Sequence, residues 1–465
     1  MIECDVAVLG AGPGGYVAAI RAAQLGAKTV VVEREELGGV CLNWGCIPTK
    51  TLIYTAEMYR KLQHAAEYGL VVPEFGLDMK ALLKRKNTVV RRNKSGIQAL
   101  FKARGIEVVK GDAVVTAPGR IKAGKEEIKA RAIIVATGSS SARIPGLEPN
   151  GKTVVTSTEA LDLDAVPKRI AVIGAGAIGA EFACLWNIFG AQVTLIEMMP
   201  QILPLEDEEL ATKLSGILKK RGIDIRTETK VAKLETDGVT AKLTMEGKGA
   251  GTLEADLVLV AVGRRFHSEA VTAEPSLGVK VGRRGEILVN ERMESSVPGI
   301  YAIGDVTGKT MLAHGASSEG IVAATNATGG NKKMKYRVIP ACTFTSPEVA
   351  SVGLTEREAV EAGHAVKVGR FNWVASGRAQ AMGEPEGLVK IVADSTTDEV
   401  LGVHILGAEA GELISAAAIA MSMEATVEEL AHTVQTHPTL GETIMEAAED
   451  YFGVGIHTAP TPVKA

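Results

Sequence analysis

Two cysteines, Cys41 and Cys46, stand five positions apart in the run GGVCLNWGCIPTK (residues 38–50), with glycines before and between them and Lys50 just after. Three readings are open for such a pair. A metal site needs about four ligands, and no second cysteine or histidine cluster lies nearby in the sequence to complete one. Two buried structural thiols would sit in an apolar stripe, whereas these have polar and glycine neighbours. A redox disulfide needs a bent backbone, because residues five apart in a straight helix are separated by about 7.5 Å along its axis, beyond the ~7 Å Cα limit of a bridge. Gly38, Gly39 and Gly45 permit that bend, and Pro48 suits a first helical turn, where a thiolate would gain from the helix dipole.

The second chemical group lies near the other end, in His437-Pro438-Thr439-Leu440-Gly441-Glu442. Histidine exchanges protons near neutral pH, and a hydrogen-bonded carboxylate fixes its tautomer and raises its basicity. Thr439 and Glu442 also have capping-box spacing, so Glu442 would at the same time close a helix start.

The elements around these groups repeat. Residues 5–9 (DVAVL) form a strand, then come Gly10-Ala11-Gly12-Pro13-Gly14-Gly15, a helix over 16–26, and a strand over 29–32 ending in Glu33. The same order recurs in residues 169–173 (RIAVI), Gly174-Ala175-Gly176-Ala177-Ile178-Gly179, a helix through Gly190, and a strand over 192–196 ending in Glu197; in each copy the acid lies 18 positions after the last glycine. Two βαβ units therefore open two halves of the chain, each with a dinucleotide fingerprint: glycines that let a pyrophosphate approach a helix N-terminus, and an acid for the ribose hydroxyls. Residues 131–138, 255–263 and 300–305 are apolar strands running into glycine, placed to meet ligands at the carboxyl edge of a parallel sheet. After Lys335 come the run 340–353 (PACTFTSPEVASVG), strands over 366–371 and 388–392, and a helix-rich end without glycine fingerprints. The last residues, from His457, read as a flexible tail.

At 465 residues the chain is long enough for about three domains. Its 51 basic and 55 acidic side chains give a net charge of −4, and no basic run suggests nucleic acid or an anionic membrane. The apolar stretch 413–423 is too short to span a bilayer and reads as a buried helix. No signal-peptide pattern is present at Met1, and five cysteines in so long a chain are not a disulfide framework, so a cytoplasmic location is expected.

The run GGVCLNWGCIPTK resembles the redox-active motif of the flavin disulfide reductases, a branch of the pyridine nucleotide-disulfide oxidoreductases, and the likeness extends over nearly the whole chain. The resemblance implies an α/β fold with two Rossmann-like domains: FAD-binding over residues 1–148 and NAD-binding over 149–268. A central domain over 269–337 would complete the FAD site, and an α+β interface domain over 338–465 would form a homodimer. It implies FAD contacts at Gly10, Gly12, Gly14, Gly15, Glu33, Lys50, Ala113, Gly138, Asp305 and Ala313, and nicotinamide contacts at Gly174, Gly176, Gly179, Glu197, Val231 and Gly263, with Glu181 on the Lys50 side of the flavin. Arg264 is followed by Arg265 and Phe266 where the family commonly has Pro-Asn. The implied catalytic residues are Cys41, which exchanges with substrate, Cys46, which faces the flavin, and His437, oriented by Glu442 and serving the other subunit's disulfide. No metal is implied.

Within the family, Glu197 repels a 2′-phosphate and favours NAD over NADP, against glutathione reductase. The extra C-terminal cysteines of mercuric reductase are absent, and the redox cysteines that transhydrogenases lack are present. The resemblance thus leaves dihydrolipoamide as substrate. The chain is expected to serve a 2-oxo acid dehydrogenase or glycine-cleavage system, meeting the lipoyl domain and the peripheral subunit-binding domain of an acyltransferase core. The alternatives are an NAD(P)H-dependent reductase of another small disulfide, or an assembly protein that has lost turnover.

Overall fold

The computed structural model describes residues 1–458; the tail expected to be flexible lies, apart from its first two residues, outside them. Strand β1 (Ile2–Leu9) leads through the first glycine turn into helix α1 (Pro13–Gln24) and strand β2 (Thr29–Glu33). Every side chain of β2 is buried, as suits a parallel strand covered on both faces. Two helices follow, α2 (Gly39–Trp44) and α3 (Cys46–Gln63), then α4 (Met79–Ala103). Strands β3 (Glu107–Lys110), β4 (Ala113–Ala117), β5 (Arg120–Ala123) and β6 (Glu126–Val135) complete this part of the chain.

In the first sheet β3, β2, β1 and β6 run parallel in that order, and β6 turns at its start into antiparallel β5 and β4. The strand Ile300–Ala302 comes back from far along the sequence to pair in parallel with the end of β6. A second parallel sheet orders Asp224–Arg226, Gln192–Ile196, Arg169–Ile173, Leu257–Val260 and Val154–Val155. The antiparallel meander Thr229–Thr236, Ala241–Gly247 and Gly251–Ala255 lies beside it. The third unit is a five-stranded antiparallel sheet in which Val400–Gly407, buried along its whole length, is central.

Several expected boundaries move. β1 begins three residues earlier than Asp5 because Ile2, Glu3 and Cys4 find partners on β6. The runs expected to be strands up to Gly138, Gly263 and Asp305 stop at Val135, Val260 and Ala302, and the residues after them turn across the sheet edge. One expectation is corrected outright. The stretch 413–423 takes in most of the helix Ala410–Ser422 and its cap Met423; the helix buries only Ala410, Ile414, Ala417 and Met421 and leaves Ile419 62% exposed, and Met423 is 78% exposed. A helix laid on a sheet hides one stripe, and the small residues elsewhere on its surface raise its hydropathy without burying it.

The second nucleotide unit is fastened to the C-terminal sheet by a buried ion pair. Lys390 Nζ lies 2.9 Å from both oxygens of Asp207 and 2.7 Å from Glu356, with only 3% of the Lys390 and Asp207 side chains exposed. Among the described residues no helix is long and apolar enough to cross a membrane.

Candidate active site

The backbone bends between the two cysteines at Gly45, whose φ of −142° and ψ of −112° end α2 and begin α3. A Cβ there would stand 2.9 Å from the Val40 carbonyl oxygen, so only glycine fits the turn. The bend brings the Cα atoms of Cys41 and Cys46 to 4.6 Å, and the two are joined as a disulfide. The Asn43 side-chain amide donates to the carbonyls of Leu37 at 3.0 Å and Gly39 at 2.9 Å, stitching the short helix to the chain before it. Cys46 is the first residue of α3, where unpaired N–H groups and the helix dipole favour negative charge.

Lys50 follows Cys46 by four positions and so shares its face of α3. Its ammonium lies 2.8 and 2.9 Å from the two oxygens of Glu181, which is buried on the helix Ala177–Ile188 of the second nucleotide unit. Phe344, just past the strand Ala341–Thr343, donates its backbone N–H to Glu181 Oε1 at 2.9 Å, and its ring centroid is 4.7 Å from Lys50 Nζ. The sequence offered no local signal for Phe344 beyond its being the one aromatic residue in PACTFTSPEVASVG.

The two glycine turns are near copies. Gly10 and Gly174 have φ of +99° and +97°, and a Cβ on either would run into a carbonyl at the end of the neighbouring strand, of Ala136 or Ala261. A Cβ on Gly15 or Gly179 would overlap the carbonyl oxygen of Gly10 or Gly174, whereas Gly12 and Gly176 face open space. Gly12 and Gly176 precede helices that have no side-chain cap, so their first N–H groups are free for an anion. Glu33 accepts from Ala11 N at 2.7 Å and Glu35 N at 2.6 Å; Glu197 accepts from Ala175 N at 2.7 Å and Met199 N at 2.9 Å. These cradles fit two dinucleotides, each with space at the middle glycine and a carboxylate at the strand end.

Around the first cradle, Ala313 opens the helix Ala313–Ala327, which also lacks a side-chain cap, and Gly138 turns at φ +68°. Ala113 is the first residue of β4, partly buried. Asp305 takes a hydrogen bond from Ser139 Oγ, and Arg264 donates through Nε to Ser139 Oγ at 2.9 Å and through Nη2 to its carbonyl at 2.8 Å. Burial lowers the Arg264 guanidinium from its usual value, against the pull of Asp305. Behind them Glu319 is fully buried and accepts from Gly304 N at 2.6 Å and Tyr336 OH at 2.8 Å. Burial pushes its carboxyl up to about 6. Ser139, Glu319 and Tyr336 carry no sequence motif that would have singled them out. Around the second cradle, the Val231 side chain points into the core beside Leu243 and Met245, leaving only its backbone to meet a ligand, while Gly263 is exposed at φ +125°.

His437 stands apart, its side chain 80% exposed, with Nδ1 2.8 Å from Glu442 Oε1. The expected capping box is half formed. Glu442 Oε2 accepts from Thr439 N at 2.8 Å, but the helix Glu442–Phe452 starts at Glu442 itself with Gly441 before it, and the Glu442 N–H makes no return bond to the Thr439 hydroxyl. Of the remaining thiols, Cys184 is buried and pushed up to about 11 by that burial; burial also raises Cys342, which lies near Glu348, Glu181 and Lys50.

Comparison with known proteins bears on this arrangement. Residues 4–320 match the family described as pyridine nucleotide-disulphide oxidoreductase, and residues 339–448 match its dimerisation domain. Dihydrolipoyl dehydrogenase of Thermus scotoductus is 46% identical over 458 residues, covering 97% of this chain and 98% of the relative. Its counterpart from Rhizobium etli is 44% identical over 474 residues, covering 97% and 98%. The crystal structure of LpdA from Mycobacterium tuberculosis superposes with a TM-score of 0.88 at 29% identity, over 97% of this chain and 99% of that one.

Proposed function

The chain belongs to the pyridine nucleotide-disulphide oxidoreductase family, and from that membership we propose that it is a dihydrolipoyl dehydrogenase, using FAD and NAD to oxidise dihydrolipoamide. The observation that carries this reading is the Cys41–Cys46 bridge at the start of α3, with Lys50 one turn further on. Bound FAD supplies a two-electron relay between the dithiol and NAD.

The protein's own part is to position groups and move protons. Gly10, Gly12, Gly14, Gly15 and Glu33 hold FAD, with Ala113, Gly138, Asp305 and Ala313 around it; Gly174, Gly176, Gly179, Glu197, Val231 and Gly263 receive NAD. His437 Nε2 takes the proton of an incoming thiol while Glu442 steadies the ring through Nδ1. The substrate thiolate forms a sulfur–sulfur bond to Cys41, and the Cys41–Cys46 bond breaks. Cys46 leaves as a thiolate, favoured by the start of α3 and the Lys50 charge. The second substrate thiol gives its proton to the departing Cys41 sulfur as it closes the substrate disulfide. The substrate has then lost two electrons and two protons, which reside in the Cys41 thiol, the Cys46 thiolate and protonated His437.

The functional unit is a homodimer in which His437 serves the disulfide of a second copy. The dimerisation-domain match, the exposed His437 ring and the outward Ile419 and Met423 support this. The division into residues 1–148, 149–268, 269–337 and 338–465 is part of the same reading. So are a cytoplasmic location and recruitment by an acyltransferase core, through its lipoyl domain and peripheral subunit-binding domain.

Steady-state turnover with dihydrolipoamide and NAD, compared with glutathione disulfide and NADPH, tests the assignment. The first pair should be turned over far faster, and the reverse ranking would replace the substrate.

A further inference from the structure

Three separate stretches of chain meet at one ammonium group. Lys50 comes from α3, Glu181 from the helix Ala177–Ile188, and Phe344 from the start of the region matched as a dimerisation domain. Glu181 alone would leave Lys50 free to swing, since the Lys50 side chain is still 32% exposed. Phe344 closes that freedom twice over, its N–H fixing Glu181 Oε1 at 2.9 Å and its ring facing the ammonium at 4.7 Å. A cation held over an aromatic face is stabilised most when it is partly desolvated, as here.

We propose that Phe344 is a positioning residue for the redox centre: by pinning the Lys50–Glu181 pair, it sets the positive field felt by a Cys46 thiolate on the same face of α3. The dimerisation region thereby takes part in the chemistry from within its own chain, independently of His437. The other titratable groups close to Lys50 are Glu181 itself and Cys342, whose thiol burial keeps protonated; Glu348 stands behind Cys342. None of these presents a second aromatic face to the ammonium.

This inference rests on Cys41–Cys46 being the redox pair, and its test separates the two ideas. In holoenzyme reduced by dithiothreitol, the rate of iodoacetamide alkylation of Cys46 is followed against pH by peptide mass spectrometry. Phe344→Leu removes the ring and keeps the N–H, while Phe344→Tyr keeps both. The midpoint of the alkylation profile should rise by about half to one pH unit in Phe344→Leu and stay within about 0.2 unit in Phe344→Tyr. Mono-, di- and trifluorophenylalanine placed at 344 retain the shape while draining the ring face, so they read the same effect if the leucine variant fails to fold. The midpoint should then climb with each fluorine. A midpoint that ignores both leucine and fluorination overturns the role of Phe344. Wild-type Cys46 that is alkylated equally before and after reduction would instead overturn the redox pair itself.

Discussion

His437 Nδ1 lies 2.8 Å from Glu442 Oε1, and because an ionised carboxylate can only accept, this contact places the ring proton on Nδ1 and leaves Nε2 as the free base. Burial pushes the Glu442 carboxyl up, but the Thr439 N–H and His437 outweigh it and hold the group below its ordinary range. The orienting contact is therefore present at neutral pH and is lost only as pH falls through that depressed value. Removing the base, as in His437→Gln, should lower kcat/KM for dihydrolipoamide by about 10²- to 10⁴-fold, and Glu442→Gln by a smaller factor. Initial rates decide it, and a His437→Gln enzyme within twofold of the parent would remove His437 from the mechanism. Glu442 itself should add no limb near neutrality to the pH–rate profile, since it titrates below its ordinary range.

Cys41→Ser and Cys46→Ser should each abolish dihydrolipoamide oxidation while leaving a folded protein. A bridge between residues only five apart constrains the unfolded chain weakly, contributing about 2 kcal/mol in the chain-entropy account. Thermal melting followed beside activity separates the two effects. Retained turnover in either variant would exclude a disulfide mechanism.

If His437 serves the disulfide of a second copy, two inactive variants should rescue each other. In a mixed dimer of Cys41→Ser with His437→Gln, one site carries both defects and the other carries neither. Co-refolded equal mixtures should recover about a quarter of wild-type activity, from half the dimers each with one working site. Catalysis within a single subunit predicts no recovery at all.

The two nucleotide cradles were legible because each is written in one stretch of sequence: strand, glycine turn, helix, strand and acid follow one another, and Glu33 and Glu197 fall at matching distances. The contact of Lys50 with Glu181 spans 131 positions and that of Phe344 with Glu181 spans 163; no local period encodes them, and family resemblance pointed only to the first. Hydropathy was misleading for the helix Ala410–Ser422, since apolar content alone does not distinguish a face turned to its own core from one turned outward. The half-formed cap at Glu442 shows a similar limit: a four-residue pattern marks a helix start but does not fix which residue begins it.

Glu197 sits where a ribose would meet the second sheet, its two oxygens tied to Ala175 N and Met199 N. Glu197→Gln removes the charge that repels a 2′-phosphate and keeps one acceptor oxygen, while its NH2 group cannot accept from the other of the two backbone N–H groups. The ratio of kcat/KM for NAD to that for NADP should fall about 10- to 100-fold, with the melting temperature lowered by the loss of one buried hydrogen bond. An unaltered ratio would place the discrimination elsewhere.

Glu319 makes stability itself depend on pH. Its ordinary value is 4.5, and burial raises it to about 6 in the folded chain, so between those values the unfolded chain has released a proton that the folded chain still holds. Stability must therefore fall as pH rises across that interval, by about 2 kcal/mol for this group, and change no further above it. Glu206 and Glu348, each pushed up to about 7 chiefly by burial, tilt the curve the same way over a wider range. Glu319→Gln retains polar partners for the Gly304 N–H and the Tyr336 hydroxyl but has no proton to lose. Calorimetry of the holoenzyme from pH 4.5 to 7.5 should show the variant losing less stability than the parent up to pH 6 and the same amount beyond it. Parallel curves throughout would mean that Glu319 is already ionised in the folded protein at pH 5, with the Gly304 and Tyr336 hydrogen bonds sufficient to offset its burial.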